Sequence, residues 1–342
     1  MKDQWFFGLD GGGTKTLCAL YNTATDELLT ACGGPTNHEV LPGGMEGLAD
    51  AVGAVAFPLL ERAGIAPRAL ASAAFGMGGV DTPMQHGLIS QILAGMGFER
   101  FVLSNDAFLG VKAELGRCGI SAVNGTGYSV AGIAPDGRML QIGGHGEMTG
   151  DRGGGDYLVP AAIRAVYTAL FKRGPATRLT ELFFEWLGIA GRDDLCQAVA
   201  MQIYSDAADA YRRISQLLYQ AAAEGDAVAR SILTECGRDY ALSIQCVAES
   251  LGLAAPVDVV LVGSQFTHCE SPCAIDALRE SLETAGDYRI HVISTAPVAG
   301  ALFWAMENAG TEPKDKAALK ARLYGLRAVS YTHLTLPTNM TV

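Results

Sequence analysis

Positive charge is scarce in this 342-residue sequence: 25 lysines and arginines stand against 36 aspartates and glutamates, a net charge of -11. With no basic stripe along the chain, nucleic acid and anionic membrane surfaces are poor partners. Long hydrophobic runs are absent too. No stretch reaches the length of a membrane span, and Trp5–Leu9, ended by Asp10, is too short for the apolar segment of a signal peptide. The eight cysteines lack the spacing of a disulfide framework, which suits reduced thiols and a cytoplasmic location. Cys269 and Cys273 alone lie close together, with only His268 beside them; ordinary thiols and a metal pair are the two readings. Apolar residues, by contrast, make up 49% of the chain, enough for a sizeable core in one large or two ordinary domains.

Against that background the segment FGLDGGGTKT, Phe7–Thr16, stands out: an aspartate, three glycines, a hydroxyl and a lysine. Such a loop has the makings of a phosphate cradle. A P-loop does not fit, because Thr14 follows the second glycine of the Gly8/Gly13 pair and puts the lysine one place late. A dinucleotide fingerprint does not fit either, because Thr16 occupies its third glycine position and TLCALYN continues as a strand rather than a helix. The glycines therefore join two strands, Trp5–Leu9 and Thr16–Tyr21, in a hairpin whose tip exposes backbone donors. A plain glycine hairpin is the other reading. Asp10 weighs against it, since a carboxylate beside a phosphate nest needs a cation, which Mg²⁺ would supply.

A second hairpin of this kind lies in SAVNGTGYSVAGIAPDGRMLQIGG, Ser121–Gly144, which reads strand, Gly-Thr-Gly tip, strand, Pro-Asp-Gly turn, strand. A third strand, Glu27–Ala31, follows the first hairpin as well, so the two halves share a layout that points weakly to duplication. Two such tips facing across a cleft could hold one polyphosphate from both sides. Separating them is FVLSNDAFLGVKAELG, with a buried strand at Phe101–Ser104 and a helix beginning at Asn105 or Asp106, its inner face formed by Phe108, Val111 and Leu115. Asp106 is either the cap of that helix or a ligand-facing group at the carboxyl end of a strand.

Together these segments resemble the actin-like sugar kinase and Hsp70-type ATPase superfamily, and within it the N-acetylglucosamine kinases and the BadF/BadG/BcrA/BcrD ATPase family, from about Phe6 to Ala309. LDGGGTKT is similar to the first phosphate motif, SNDAFLG to the catalytic aspartate segment and NGTGYS to the second phosphate motif. VVLVGSQF, Val259–Phe266, is similar to the adenosine motif. PTNHEVLPGG, Pro35–Gly44, and GGHGEMTGDRGG, Gly143–Gly154, are similar to the sugar loops. The resemblance implies an α/β fold of two actin-like (ribonuclease H-like) domains with a central cleft, and an ATP- and Mg²⁺-dependent kinase acting on an amino sugar hydroxyl. It implies phosphate contacts from Gly12, Gly13, Thr14, Thr126 and Gly127, nucleoside contacts from Gly263 and Ser264, and hydrated Mg²⁺ at Asp10. It assigns sugar binding to Asn37, Asp106, Gly144, His145, Gly146 and Asp151, and the general base to Asp106. His145 reads equally as a structural residue. Arg152 and Tyr128 depart from the family's usual Glu and Ser, and both are expected near the sugar. A homodimer is expected.

The expected domains are residues 1–117 joined by helices at 296–326, and residues 118–295; helices are expected at Glu46–Ala63 and Pro83–Met96 and throughout Tyr157–Leu251. In that last stretch Leu217, Leu218, Ala221 and Ala222 mark core or dimer contacts, and AAAEGDAVA, Ala221–Ala229, resembles the family's helix junction near adenine. The polar, threonine-rich end, residues 329–342, reads as a non-native tail. N-acetylglucosamine, converted to its 6-phosphate, is the first substrate expected. Glucosamine and N-acetylmuramic acid stay open, as does an ATP-driven activator of a radical dehydratase or reductase, which would need paired cysteines at a cluster.

Overall fold

The computed structural model describes residues 3–267 and 269–329; the expected tail, from residue 330 on, and His268 lie outside the described residues. The chain divides into two compact units, one of Met1–Gly116 with the segment from Ile293 onward, the other of Arg117–Val292. The first unit begins with strands β1 (Trp5–Gly11), β2 (Thr16–Asn22) and β3 (Leu28–Gly33), helix α1 (Leu48–Arg62), strand β4 (Ser72–Met77), helix α2 (Pro83–Gly95) and strand β5 (Phe101–Ser104). The second has strands β6 (Gly119–Asn124), β7 (Tyr128–Ile133) and β8 (Met139–Gly143). Helices α3 (Gly154–Leu170), α4 (Leu179–Leu187), α5 (Leu195–Ser205), α6 (Ala207–Ala223) and α7 (Ala227–Leu251) follow, then β9 (Val257–Val262), α8 (Ser264–Thr267), α9 (Cys273–Ala285) and β10 (Tyr288–Val292). Helices α10 (Val298–Asn308) and α11 (Lys316–Val329) complete the first unit.

Each unit is built on a mixed five-stranded sheet, in the order β3-β2-β1-β4-β5 and β10-β9-β6-β7-β8. Read from its own first strand, the second sheet repeats the first: two antiparallel partners on one side, two parallel partners on the other. The shared layout of the two halves is thus a shared topology. Both glycine hairpins lie where the sequence places them, with Gly11 opposite Thr16 and Asn124 opposite Tyr128 at the last paired positions.

Central strands are apolar because both faces are covered. In the first sheet, Phe7, Leu9 and Phe75 pack with Phe98 under α1 and α2, with Phe75 and Phe98 edge to face at 4.9 Å. On β1, Gly8 admits the backbone of α10 so closely that a Cβ there would stand 2.5 Å from the Leu302 nitrogen. In the second unit α3 to α7 and α9 contribute to one core, and Leu217, Leu218, Ala221 and Ala222 are buried in it rather than offered to a partner.

Two local expectations need correction. Helix α1 starts at Leu48, after turns over residues 43–47, not at Glu46. More consequentially, no regular α-helix follows β5. A 3₁₀ turn, Asp106–Phe108, leads into a π-helical turn, Val111–Leu115, so that Val111, Lys112 and Ala113 turn inward while Leu115 stays partly exposed. The cause is α10: Gly300 abuts the Leu109 carbonyl and the Ala113 nitrogen, and Lys112 pairs with Glu307 at 2.8 Å and sits 4.9 Å from the Trp304 ring. Packing against a second helix overrides the 3.6-residue period.

Candidate active site

In the first unit, three segments meet at the carboxyl ends of β1, β4 and β5. The β1–β2 tip is closed by Gly12 N donating to the Lys15 carbonyl at 3.0 Å. The Gly12 carbonyl accepts from Thr36 N and Asn37 N at 3.2 and 3.3 Å, and Thr36 and Thr16 share a buried hydroxyl contact of 2.9 Å. The Pro-Thr-Asn loop is thereby fastened to the glycine tip. Gly78 N donates to the Gly11 carbonyl at 2.8 Å, which brings the loop after β4 against the same tip. Asn37 and His38 in turn lie against Gly78 and Gly79. Gly13 faces Val40, and Thr14 is exposed at the apex.

Asp10, the penultimate residue of β1, is a carboxylate with little water. Burial pushes it up to about 6, with Lys15 pulling in the opposite direction. Burial likewise lowers the Lys15 ammonium, against the pull of Asp10 and Cys32. For both members of the pair desolvation outweighs their mutual attraction.

Asp106 lies one residue beyond Asn105, which follows the last residue of β5, and it opens a 3₁₀ turn. Asn105 is the cap: its Oδ1 accepts from Ala107 N at 2.8 Å, and its Nδ2 donates to Asp81 Oδ1 at 2.9 Å. The Asp106 carboxylate is therefore not needed as a helix cap. Burial, then the negative charges of Asp10 and Asp81, push it up to about 7, while the backbone N–H groups of Asp106 and Ala107 limit the rise. A carboxylate that exchanges a proton near neutrality is the natural proton acceptor for an alcohol.

In the second unit the β6–β7 tip, Gly125–Thr126–Gly127, carries the start of α3. Gly155 N donates to the Gly125 carbonyl at 2.9 Å, Asp156 N to the Thr126 carbonyl at 3.0 Å, and Gly154 N to Asn124 Oδ1 at 2.8 Å. Gly154 has φ +71°, and a Cβ there would stand 2.5 to 2.6 Å from Gly127 and Thr126 backbone atoms, so no other residue fits. Thr126 and Gly127 remain exposed. Gly263, at the end of β9, abuts the Asn124 carbonyl and Gly125 nitrogen, which places Gly263 and Ser264 beside this second tip.

The Gly144–Gly146 loop is organised by Asp151. Its Oδ2 accepts from Gly144 N, His145 N and Gly146 N at 3.0, 3.1 and 2.9 Å, and its Oδ1 accepts from the Thr149 hydroxyl at 3.1 Å. The carboxylate is the anchor of the loop. Tyr128 is not turned to a ligand: its ring is buried, stacked on Tyr240 at 4.2 Å beneath Gly143 and Gly153, and its hydroxyl donates to Ser243 Oγ at 2.7 Å. Arg152 reaches toward α7, its guanidinium 3.8 Å from Glu235 and its backbone N donating to Asp239 at 3.4 Å. Sequence reasoning missed Asp81 and Gln85; Thr82-Pro-Met-Gln85 spells a capping box, but that signature announces a helix start and not what the cap touches.

Among the described residues no helix is long and apolar enough to cross a membrane. The chain is similar to an N-acetylmuramic acid/N-acetylglucosamine kinase of Clostridium acetobutylicum, 26% identical over 258 residues that make up 73% of this chain and 81% of that protein. It is also similar to an N-acetyl-D-glucosamine kinase of Dictyostelium discoideum, 25% identical over 265 residues, 74% of this chain and 82% of that protein. A crystal structure of a putative N-acetylglucosamine kinase from Chromobacterium violaceum superposes with a TM-score of 0.66 at 23% identity, covering 88% of this chain and 98% of that one. The fold is thus that of actin-like sugar kinase structures, and residues 7–305 match the BadF/BadG/BcrA/BcrD ATPase family, to which the chain belongs.

Proposed function

We propose that the chain is an ATP-dependent sugar kinase that transfers the γ-phosphoryl group to a hydroxyl of an N-acylated amino sugar, N-acetylglucosamine to its 6-phosphate in the first instance. Asp106 carries the reading: a partly buried carboxylate at the end of β5, released from capping by Asn105 and poised near pH 7. Membership of an ATPase family and the names of the two relatives support it.

In this reading Asp106 accepts the proton of the sugar hydroxyl as its oxygen attacks the γ-phosphorus and the bond to the β,γ-bridging oxygen breaks. A primary alcohol is too weak an acid to ionise unaided, and a positioned base contributes about 10²- to 10⁴-fold. Phosphoryl transfer otherwise depends on position and charge. Each unit offers a tip of its own to phosphate: Gly12, Gly13 and Thr14 in the first, and Thr126 and Gly127 in the second, where Gly263 and Ser264 lie beside the tip for the nucleoside. Asn37 offers an amide to the sugar, and the loop Gly144–His145–Gly146 offers its surface, its shape held by Asp151. Asp10 fits a hydrated Mg²⁺, because a cation offsets the desolvation that lifts its carboxyl to about 6. Bound with ATP, that ion would neutralise charge on the phosphates.

ADP release measured over N-acetylglucosamine, N-acetylmuramic acid, glucosamine and glucose tests the proposal. Turnover that depends on sugar, is faster with the N-acylated sugars than with glucosamine, and yields a 6-phosphate is expected. ATP hydrolysis indifferent to every sugar would overturn it.

A further inference from the structure

The loop after β4 reads Gly78-Gly79-Val80-Asp81-Thr82-Pro83-Met84-Gln85. Its backbone is fixed by the first turn of α2. Thr82 Oγ1 accepts from Gln85 N at 3.2 Å, and Gln85 Oε1 accepts from Asp81 N at 3.1 Å and from Thr82 N at 2.9 Å. Thr82 is thus the cap of α2, and the Asp81 side chain reaches Asn105. Its Oδ1 accepts from Asn105 Nδ2 at 2.9 Å. Asn105 is only 4% exposed and is held at both ends of its amide, by Asp81 and by Ala107 N. The next residue is Asp106.

The same loop braces the other candidate sugar contact. Gly78 and Gly79 pack on Asn37 and His38. Gln85 Nε2 approaches Glu39 Oε1 at 3.5 Å, and Glu39 N donates to Asn37 Oδ1 at 2.9 Å. One short segment therefore touches both the turn that aims the base and the loop that offers an amide to the sugar.

We propose that Asp81 is a positioning residue for phosphoryl transfer: through Asn105 it sets the turn that aims Asp106 at the sugar hydroxyl, from a loop that also seats Asn37. This rests on the reading of Asp106 as the base. A carboxylate is a strong acceptor for an amide donor, and displacement of a catalytic group by about 1 Å costs about 100-fold. An isosteric amide at 81 still presents an oxygen to Asn105, whereas alanine does not.

The test is kinetic and uses the full chain. Asp81→Ala is expected to lower kcat by about 10- to 100-fold while KM for ATP stays within about twofold, and Asp81→Asn is expected to restore most of the loss. Asn105→Asp keeps the acceptor for Ala107 N but removes the donor to Asp81; it is expected to reproduce the Asp81→Ala defect and serves in its place if that variant does not fold. In an Asp106→Asn background, Asp81→Ala should cost nothing further, because the group it aims is gone. Equal losses in both backgrounds, or a rise in KM for ATP matching the fall in kcat, would overturn the positioning role. If Asp106→Asn itself keeps full activity, the base assignment has failed instead, a different outcome in the same experiment.

Discussion

In the proposed reading, the environment of Asp106 serves reactivity at the expense of stability. As a base it must be ionised, so kcat/KM should rise with pH through about 7, the value to which burial, Asp10 and Asp81 bring it. Folding sees the opposite sign. A carboxyl whose folded pKa lies above its unfolded value binds its proton more tightly when native; the stability this contributes is present below the unfolded value and lost as pH rises through the folded one. Asp10, lifted to about 6, acts in the same sense. Asp106→Asn should therefore melt at a higher temperature than wild type at pH 8, with the gap narrowing toward pH 5; thermal scans without nucleotide measure it, and a less stable variant at pH 8 would contradict the shift. Asn37 makes a different case. Its Oδ1 accepts from Glu39 N at 2.9 Å, while Nδ2 donates to Glu39 Oε2 only at the long distance of 3.5 Å, so in the proposed reading the NH₂ end is the part that can turn to a sugar hydroxyl. Asn37→Ala should raise KM for sugar about tenfold, the worth of a hydrogen bond left unmade, with little change in KM for ATP; initial-rate kinetics in both substrates decide.

At the scale of elements, the second tip depends on how closely α3 starts against it. Gly154→Ala places a methyl group 2.5 Å from the Gly127 carbonyl carbon at φ +71°. Strain of this kind costs about 1 to 3 kcal/mol, and the tip must shift to relieve it. KM for ATP should rise about tenfold, a shift worth about 1.4 kcal/mol, with KM for sugar much less affected; unchanged nucleotide affinity would mean the tip does not hold the phosphates. Much of this layout was legible in the sequence. The hairpins declared themselves because apolar, strand-forming runs flank the glycines, and the helix expected over Pro83–Met96 is present as α2, Pro83–Gly95. The segment after β5 was not legible, because its π turn is imposed by Gly300 of α10, nearly 200 residues away in the chain. Nor could spacing reveal that Asp151 holds three backbone N–H groups, that Tyr128 turns inward onto Tyr240, or that Asp81 grips Asn105. Those are contacts of folded loops, and no period encodes them.

For the molecule as a whole, two units of the same topology carry different chemistry. Both present a glycine-threonine tip after their first strand. Only the first adds carboxylates: Asp10 near the end of β1, and Asp106 after β5, whereas β10 is the last element of the second unit and the chain returns to the first at Ile293. In the proposed reading the repeat provides two tips for phosphate, while the proton acceptor and the carboxylate for the metal belong to one unit. This division makes the account depend on a single side chain, and steady-state turnover of Asp106→Asn, with N-acetylglucosamine and ATP both saturating and folding verified by circular dichroism, tests it most directly. The substitution keeps shape and hydrogen-bonding capacity and leaves Asn105 as the cap, so it removes proton acceptance and little else. The account predicts a fall in kcat of about 10²- to 10⁴-fold with a much smaller change in sugar affinity. A kcat within about threefold of wild type, under about 1 kcal/mol of barrier, would contradict it.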